Sequence, residues 1–182
     1  MDKVTRTVGL KGIRPIMFDR YAGDNKTTLD PLDKVYKDKD GNLTLPSVNV
    51  MSFLSAQNTE SAPQRMIGRG WKAVAKAALS FVDVNPIDIP FLRDGKPIAA
   101  TADNLEIRFD VARMKKGQLA IPNPKERPVL HVPWSLRFEI TLFENGDLKD
   151  AMLRKLFENG GISIGFGTFR GVFGKFIVET WE

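Results

Sequence analysis

SLRFEITLFENGDLKDAMLRKLFENGGISIGFGTFRGVFGKFIVETW, residues 135–181, carries the reading of the fold. Leu136, Phe138, Ile140 and Leu142 alternate with Ser135, Arg137, Glu139 and Thr141, the period of a strand with one buried face. Asn145-Gly146 turns the chain. Asp147 is placed to cap a helix over about 148–158, in which Leu148, Met152 and Leu156 form one stripe. Gly160-Gly161 stands where a left-handed cap would stop that helix, and a glycine-rich bend leads into a last strand, Gly174–Trp181.

Working back toward the N-terminus, Leu105, Ile107, Phe109 and Val111 alternate with Glu106, Arg108 and Asp110, which predicts a second half-exposed strand over 105–111. Between the two alternating segments lies Arg113–Pro133, with four prolines, one acid and the cations Arg113, Lys115, Lys116, Lys125 and Arg127, a stiff basic excursion. Residues 83–100, broken by Pro86, Pro90, Gly95 and Pro97, read as a connection with a short hairpin at Asp94-Gly95. Over 64–82, Ile67, Trp71, Val74, Ala75, Ala78 and Val82 recur at helical spacing. Arg65, Arg69, Lys72 and Lys76 form an all-cationic stripe on the other face of that helix, and Gly68 and Gly70 weaken its first turn.

An earlier helix opens at Pro46-Ser47, turns Val48, Met51 and Leu54 inward, and ends by Gln57-Asn58. Asp19–Gly41 holds six Asp and five Lys or Arg, and with Leu43–Leu45 it reads as a long charged hairpin-like loop, a place to look for binding. Residues 3–18 are a first strand with an edge or bulge at Arg14-Pro15. The order is strand, helix in two pieces, strand, strand, helix, strand. That is the β-α-β-β-α-β, ferredoxin-like α+β plan: an antiparallel sheet with both helices on one face. It is expected as one domain over 1–182, with insertions at roughly 19–45 and 113–133. A plain α+β sandwich with extra hairpins is the alternative.

Composition narrows the chemistry. The 182 residues are 42% apolar and 27% charged, enough for one core and too hydrophobic for disorder. No apolar run approaches the roughly 20 residues of a membrane helix, and no signal-peptide core opens the chain, so a cytoplasmic protein is expected. With no cysteine and a single histidine, His131, there is no thiolate nucleophile, thiolate metal cluster or multi-histidine metal site, and no cofactor is expected. The net charge of +5 permits a polyanionic partner. Two low-ranking catalytic candidates remain. His131 is a candidate general base or, more simply, a structural histidine, and Asp30, flanked by Asp24 and Asp33, is a candidate metal-dependent centre or part of a solvated acidic loop.

The most specific segment is GFGTFRGVFGKF, residues 165–176. Gly165, Gly167, Gly171 and Gly174 permit left-handed backbone and close approach, which can leave amides facing phosphates, while Arg170 and Lys175 supply charge. The alternative is a hairpin with glycine bulges. It is neither a Walker loop nor a dinucleotide fingerprint. No aromatic residue stands on the polar faces of the alternating strands, so base stacking, if any, falls to Phe18, Tyr21, Phe166 or Phe169.

A helix followed by G-x-G-x-x-R-x-x-x-G-[KR]-F and a terminal strand resembles the glycine-rich loop of the RAMP superfamily, the repeat-associated proteins of CRISPR systems. Asp30, Val35, Gly41, Leu45-Pro46 and Leu54 are similar to a D…V…G…[IL]-P-x…[LI] stretch of the backbone subunits of CRISPR effector complexes. After the proline, Ser47–Ser52 departs from those subunits in carrying no cation, and the ending also looks like that of small phage proteins. The resemblance implies a ferredoxin-like protein that binds RNA or single-stranded nucleic acid without catalysis, in a prokaryotic cell or encoded by its phage. Copies of itself or other CRISPR or phage proteins are the implied partners.

By that likeness, the loop with Arg170 and the face Arg65, Arg69, Lys72 and Lys76 would meet phosphates. The excursion 113–127 would act as a thumb reaching a strand or a neighbouring protomer. The competing expectations are a phage protein-binding factor on the same fold, directed against a defence system or sequestering a nucleotide, and an endoribonuclease using His131.

Overall fold

The computed structural model describes residues 1–57 and 60–182. The strands are β1 (Lys3–Gly12), β2 (Ile16–Met17), β3 (Tyr36–Lys37), β4 (Leu43–Pro46), β5 (Val82–Asn85), β6 (Asp88–Arg93), β7 (Lys96–Pro97), β8 (Glu106–Lys116), β9 (Leu119–Leu130), β10 (Ser135–Phe143) and β11 (Phe176–Trp181). The helices are α1 (Ser47–Ser55), α2 (Ala62–Ile67), α3 (Trp71–Phe81) and α4 (Asp150–Ser163). The fold is α+β.

Four strands, β11-β1-β10-β5, are paired antiparallel in that order, which is the order of the β-α-β-β-α-β plan. Strands β1 and β10 are in continuous register from Lys3↔Phe143 to Lys11↔Ser135. Their alternation puts Val8, Leu10, Leu136, Phe138, Ile140 and Leu142 on the buried face and leaves Arg137 and Glu139 exposed on the other. Beyond β5 the same edge of β10 is taken up by β6, which continues the sheet through β4 to β3.

The second strand of the plan is therefore β5, not the alternating stretch 105–111. Val82–Asn85 is too short to show a period, and Pro86 follows it. The stretch 105–111 is extended but belongs to a separate three-stranded sheet, β2-β9-β8. There the basic excursion is not a loop: its second half is β9, paired with β8 from Glu106↔Val129 to Lys116↔Leu119. Pro122, Pro124 and Pro128 are an even number of residues apart, so their nitrogens point the same way and spare the ladder. Ile107, Phe109 and Val111 alternate as expected, yet all three are exposed, because no layer among the described residues covers that side of the hairpin.

The helices are shifted in detail. Helix α1 buries Val50, Phe53 and Leu54, while Val48 is exposed. The single helix expected over 64–82 is α2 and α3, broken where Gly68 and Gly70 take φ of 67° and 89°. Helix α4 starts at Asp150 and runs through Gly160-Gly161 instead of stopping there. Those glycines permit contact: a Cβ on Gly160 would lie 2.5 Å from the Phe53 ring, and one on Gly161 would lie 2.6 Å from Phe176. Phe53 is the hub of the core beneath, with ring centroids of Phe157, Phe166 and Phe176 at 5.4, 5.1 and 5.7 Å. Each such pair contributes about 0.5–1.5 kcal/mol beyond burial.

Candidate nucleic-acid interface

The glycine-rich loop follows α4 and is wound tightly on its own backbone. Gly165, Gly167, Gly171 and Gly174 all have positive φ, and a Cβ on Gly174 would come within 1.8 Å of the Phe166 carbonyl oxygen. Most of its amides are spent internally. Phe166 N donates to Gly174 O, Thr168 N to Met17 O, Gly171 N to Ile164 O and Gly174 N to Pro15 O. The loop is thus a braced turn that presents side chains, and its amides are largely unavailable to phosphates. Phe166 is buried and stacks on Phe176, with centroids 4.6 Å apart.

What the loop presents faces α1. Gly167, Thr168, Phe169 and Arg170 line one side of an open cleft of about 340 Å3, and Asn49 and Ser52 line the other. Among the described residues, the side chains of Asn49, Ser52, Thr168 and Arg170 make no hydrogen bond within the protein. Arg170 is half-buried: burial pushes its guanidinium below the ordinary value, and the Glu60 carboxylate acts in the opposite direction. An arginine stays charged through such a shift, so a partly desolvated cation stands in the cleft without an ion-pair partner among the described residues.

Asn49, Gly167 and Thr168 also line a second hollow of about 240 Å3, which reaches Tyr36 and Asp19. Asp19 in turn borders a third, of about 610 Å3, with Arg20, Tyr21, Lys34, Met114 and Lys125. The first two hollows adjoin at Asn49, Gly167 and Thr168 and the last two at Asp19, a row of openings, the groove, that runs from α1 past the glycine loop to the β8–β9 hairpin. The base of the hairpin is tied to the groove floor. Lys125 Nζ lies 3.4 Å from Asp19 Oδ2, Lys34 Nζ donates to Glu126 O at 2.7 Å, and Arg127 and Arg108 lie over the rings of Phe169 and Phe173. Farther out, every residue from Arg113 to Pro122 is exposed, so Arg113, Lys115 and Lys116 stand free of the body.

The expected cations are thus divided. Arg170 and Lys125 line the groove, whereas Arg127, on the hairpin, is buried, with an Nε that finds no hydrogen-bond partner among the described residues. Lys175 lies at the end of the loop, where its carbonyl accepts from Ile13 and Arg14. Arg65, Arg69, Lys72 and Lys76 are exposed, but the break at Gly68–Gly70 splits their stripe, Arg65 is paired with Glu60, and Lys72 lies over Trp71. Asn49 and Ser52 were not anticipated. Their signal is a polar pair at i and i+3 on α1, opposite Val50, Phe53 and Leu54.

Of the catalytic candidates, His131 lies away from the groove, while Asp30 directly follows Leu29, which borders the third hollow. His131 contacts the Glu106 carboxylate at the base of the hairpin, with both side chains more than half exposed, beside an open cleft bordered by Arg93 and Asp103. Asp30 is exposed and opens a turn of 3-10 helix at Pro31–Asp33. Among the described residues no three His, Cys, Asp or Glu side chains come together as a metal-ligand set. No helix among them is long and apolar enough to cross a membrane.

No protein-family profile matches the chain, and no curated protein does. Among solved structures, the chain is similar to a chain of the type III-B Cmr-beta determined by cryo-electron microscopy bound to cognate target RNA, with a TM-score of 0.56 and 12% identity. The match covers 99% of this chain and 60% of that one, so this chain spans under two thirds of its neighbour's length. A likeness at this identity is one of fold.

Proposed function

We propose that this chain is a RAMP-like protein that binds RNA or another single-stranded nucleic acid along the groove between α1, the glycine-rich loop and the β8–β9 hairpin. The observation that carries the reading is Arg170, a half-buried cation without an ion-pair partner among the described residues, beside Thr168 and across a cleft from Asn49 and Ser52, whose side chains make no hydrogen bond among those residues. Hydroxyls, amides and positioned cations are the groups that hold phosphate and sugar without reading sequence. The similar chain belongs to an assembly bound to target RNA, which supports the same class of partner here. Lys125 lines the hairpin end of the groove, and Arg113, Lys115 and Lys116, at the hairpin tip, extend the positive surface beyond it. The carboxylates that border the groove, Asp19 and Asp24, are engaged within the protein, the first by Lys125 and the second by Thr27 and Lys26, so the function proposed is non-catalytic.

A second reading has its own observation. Ile107, Phe109 and Val111 are exposed along one side of the hairpin, and an apolar strip on a projecting element fits contact with a protein, either another copy or a different component. The two readings are compatible in a protomer that repeats along a strand.

The test is the absorbance ratio at 260 and 280 nm of the freshly purified protein on a sizing column at low and high salt, followed by titration with single-stranded RNA. Bound RNA released by salt, with log affinity falling linearly in log salt, is the expected result. A nucleic-acid-free protein that also fails to bind added RNA at low salt overturns the reading.

A further inference from the structure

Phe169 is the residue of the glycine-rich loop that burial does not explain: its ring lies beside that of Phe173, with centroids 6.0 Å apart, yet stays open to solvent. Its φ is +54°, a conformation that L residues other than Asn and Asp rarely adopt, in a loop where the other left-handed positions are glycines. That conformation is not compensated by burial, because the side chain is 56% exposed. Every other ring of the segment turns inward: Phe166 and Phe176 are buried and Phe173 is half-buried. Phe169 instead lines the cleft with Asn49, Ser52 and Arg170.

The ring is also backed. The Arg127 guanidinium carbon lies 5.9 Å from its centroid, and Arg127 is only 6% exposed, with no ion pair among the described residues and an Nε left without a partner. A buried, uncompensated arginine is costly, and a flat π-face is one of the few neighbours that stabilise it. Arg127 belongs to the braced base of β9, so this contact holds the ring where the strained backbone puts it. A rigid exposed aromatic ring beside a cation and unpaired polar groups, in a cleft of about 340 Å3, has the elements of a base-stacking site, and the volume falls in the range of small-ligand sites.

We propose that Phe169, supported from behind by Arg127, is a platform on which one unpaired nucleobase stacks, with Asn49 and Ser52 at the base edge and Arg170 at its phosphate. This rests on the nucleic-acid reading of the groove and adds to it a demand for a base, not only a backbone. Of the four rings considered from sequence, Phe18 and Phe166 are in the core, and Tyr21 is exposed but donates its hydroxyl to Asn25 at the far end of the groove.

The experiment compares binding of oligoadenylate of about 12 nucleotides with that of an abasic oligomer of equal length and charge. It uses the wild-type protein, Phe169→Ala and Phe169→Tyr. The wild type is expected to prefer the base-bearing strand by about tenfold, within the range for one base on one aromatic side chain. Phe169→Ala should reduce the preference to within about twofold while keeping the salt dependence, and Phe169→Tyr should retain it. A wild type that binds both strands equally, or a Phe169→Ala protein with undiminished preference, overturns the platform and leaves the backbone reading standing. A wild type that binds neither strand overturns both.

Discussion

The ring of Phe53 lies directly over the Cα of Gly160, so close that a methyl group on that glycine would sit 2.5 Å from the Phe53 Cζ atom. Helices α1 and α4, which carry these residues, are thereby brought to the separation at which the loop after α4 can face α1 across the cleft. The contact reverses a general rule. Alanine is favoured over glycine inside a helix by about 1 kcal/mol. Here Gly160→Ala should destabilise the protein by about 1–3 kcal/mol through overpacking, whereas Gly146→Ala, which meets nothing within 4 Å, should stay within about 0.5 kcal/mol. Denaturant midpoints of the two variants check the difference in size.

Gly171 and Gly174 separate the two reasons for glycine in the loop. Both have positive φ, but a Cβ at Gly171 meets open space, while one at Gly174 strikes the Phe166 carbonyl. Gly171→Ala should cost about 1–2 kcal/mol of left-handed strain. Gly174→Ala should cost about 3 kcal/mol or more, because the backbone must also separate. Thermal unfolding of both proteins under one buffer condition reads the order.

Arg170→Ala should reduce the magnitude of the log-affinity against log-salt slope for single-stranded RNA by about 0.7, the contribution of one phosphate contact, and weaken binding at every salt concentration. Arg137→Ala removes the same charge from the open face of the sheet and should leave the slope unchanged. Fluorescence anisotropy titrations at four salt concentrations distinguish a local contact from a general loss of positive charge.

Phe109→Ser should not change stability by more than about 0.5 kcal/mol, since the ring is 64% exposed on an uncovered strand face. If the apolar strip is a protein-binding surface, the same variant abolishes association with the partner copy or component in a sizing experiment. An unaltered assembly assigns the contact elsewhere.

Acid should weaken the charged segment after β2 through two aspartates. The Asn42 and Asp40 amides hold the Asp38 carboxyl below its ordinary value of 3.8, and the Thr27 hydroxyl with the Thr27 and Lys26 amides does the same for Asp24. A carboxyl depressed in the folded state contributes stability that is complete above its unfolded value and is lost as pH falls through the folded one. The stability gap between wild type and Asp38→Asn should therefore be widest at neutral pH and shrink below about pH 4. Chemical unfolding across that range follows it.

The parts of this protein legible in sequence are those where one local rule acts without competition. The alternation of Leu136 to Leu142 could only be a strand with one face inward, and the helical spacing of Val74, Ala75 and Ala78 could only be a helix packed along one side. The glycine pattern of 165–174 marked left-handed backbone but not the bracing that spends its amides within the protein, and the order of elements led to the α+β plan. Where the same local signal has two physical meanings, only the tertiary structure chose. Gly160-Gly161 could stop a helix or let rings approach it, and the approach of Phe53 and Phe176 decided for the second. Ile107, Phe109 and Val111 alternate as a buried strand face does, but whether a layer lies over them is a property of the assembled chain, and none among the described residues does. The groove was illegible for the same reason. Asn49 and Ser52 are ordinary polar helix residues until α1 is set opposite Arg170, more than a hundred positions away, by a core of phenylalanines whose contacts no local pattern encodes.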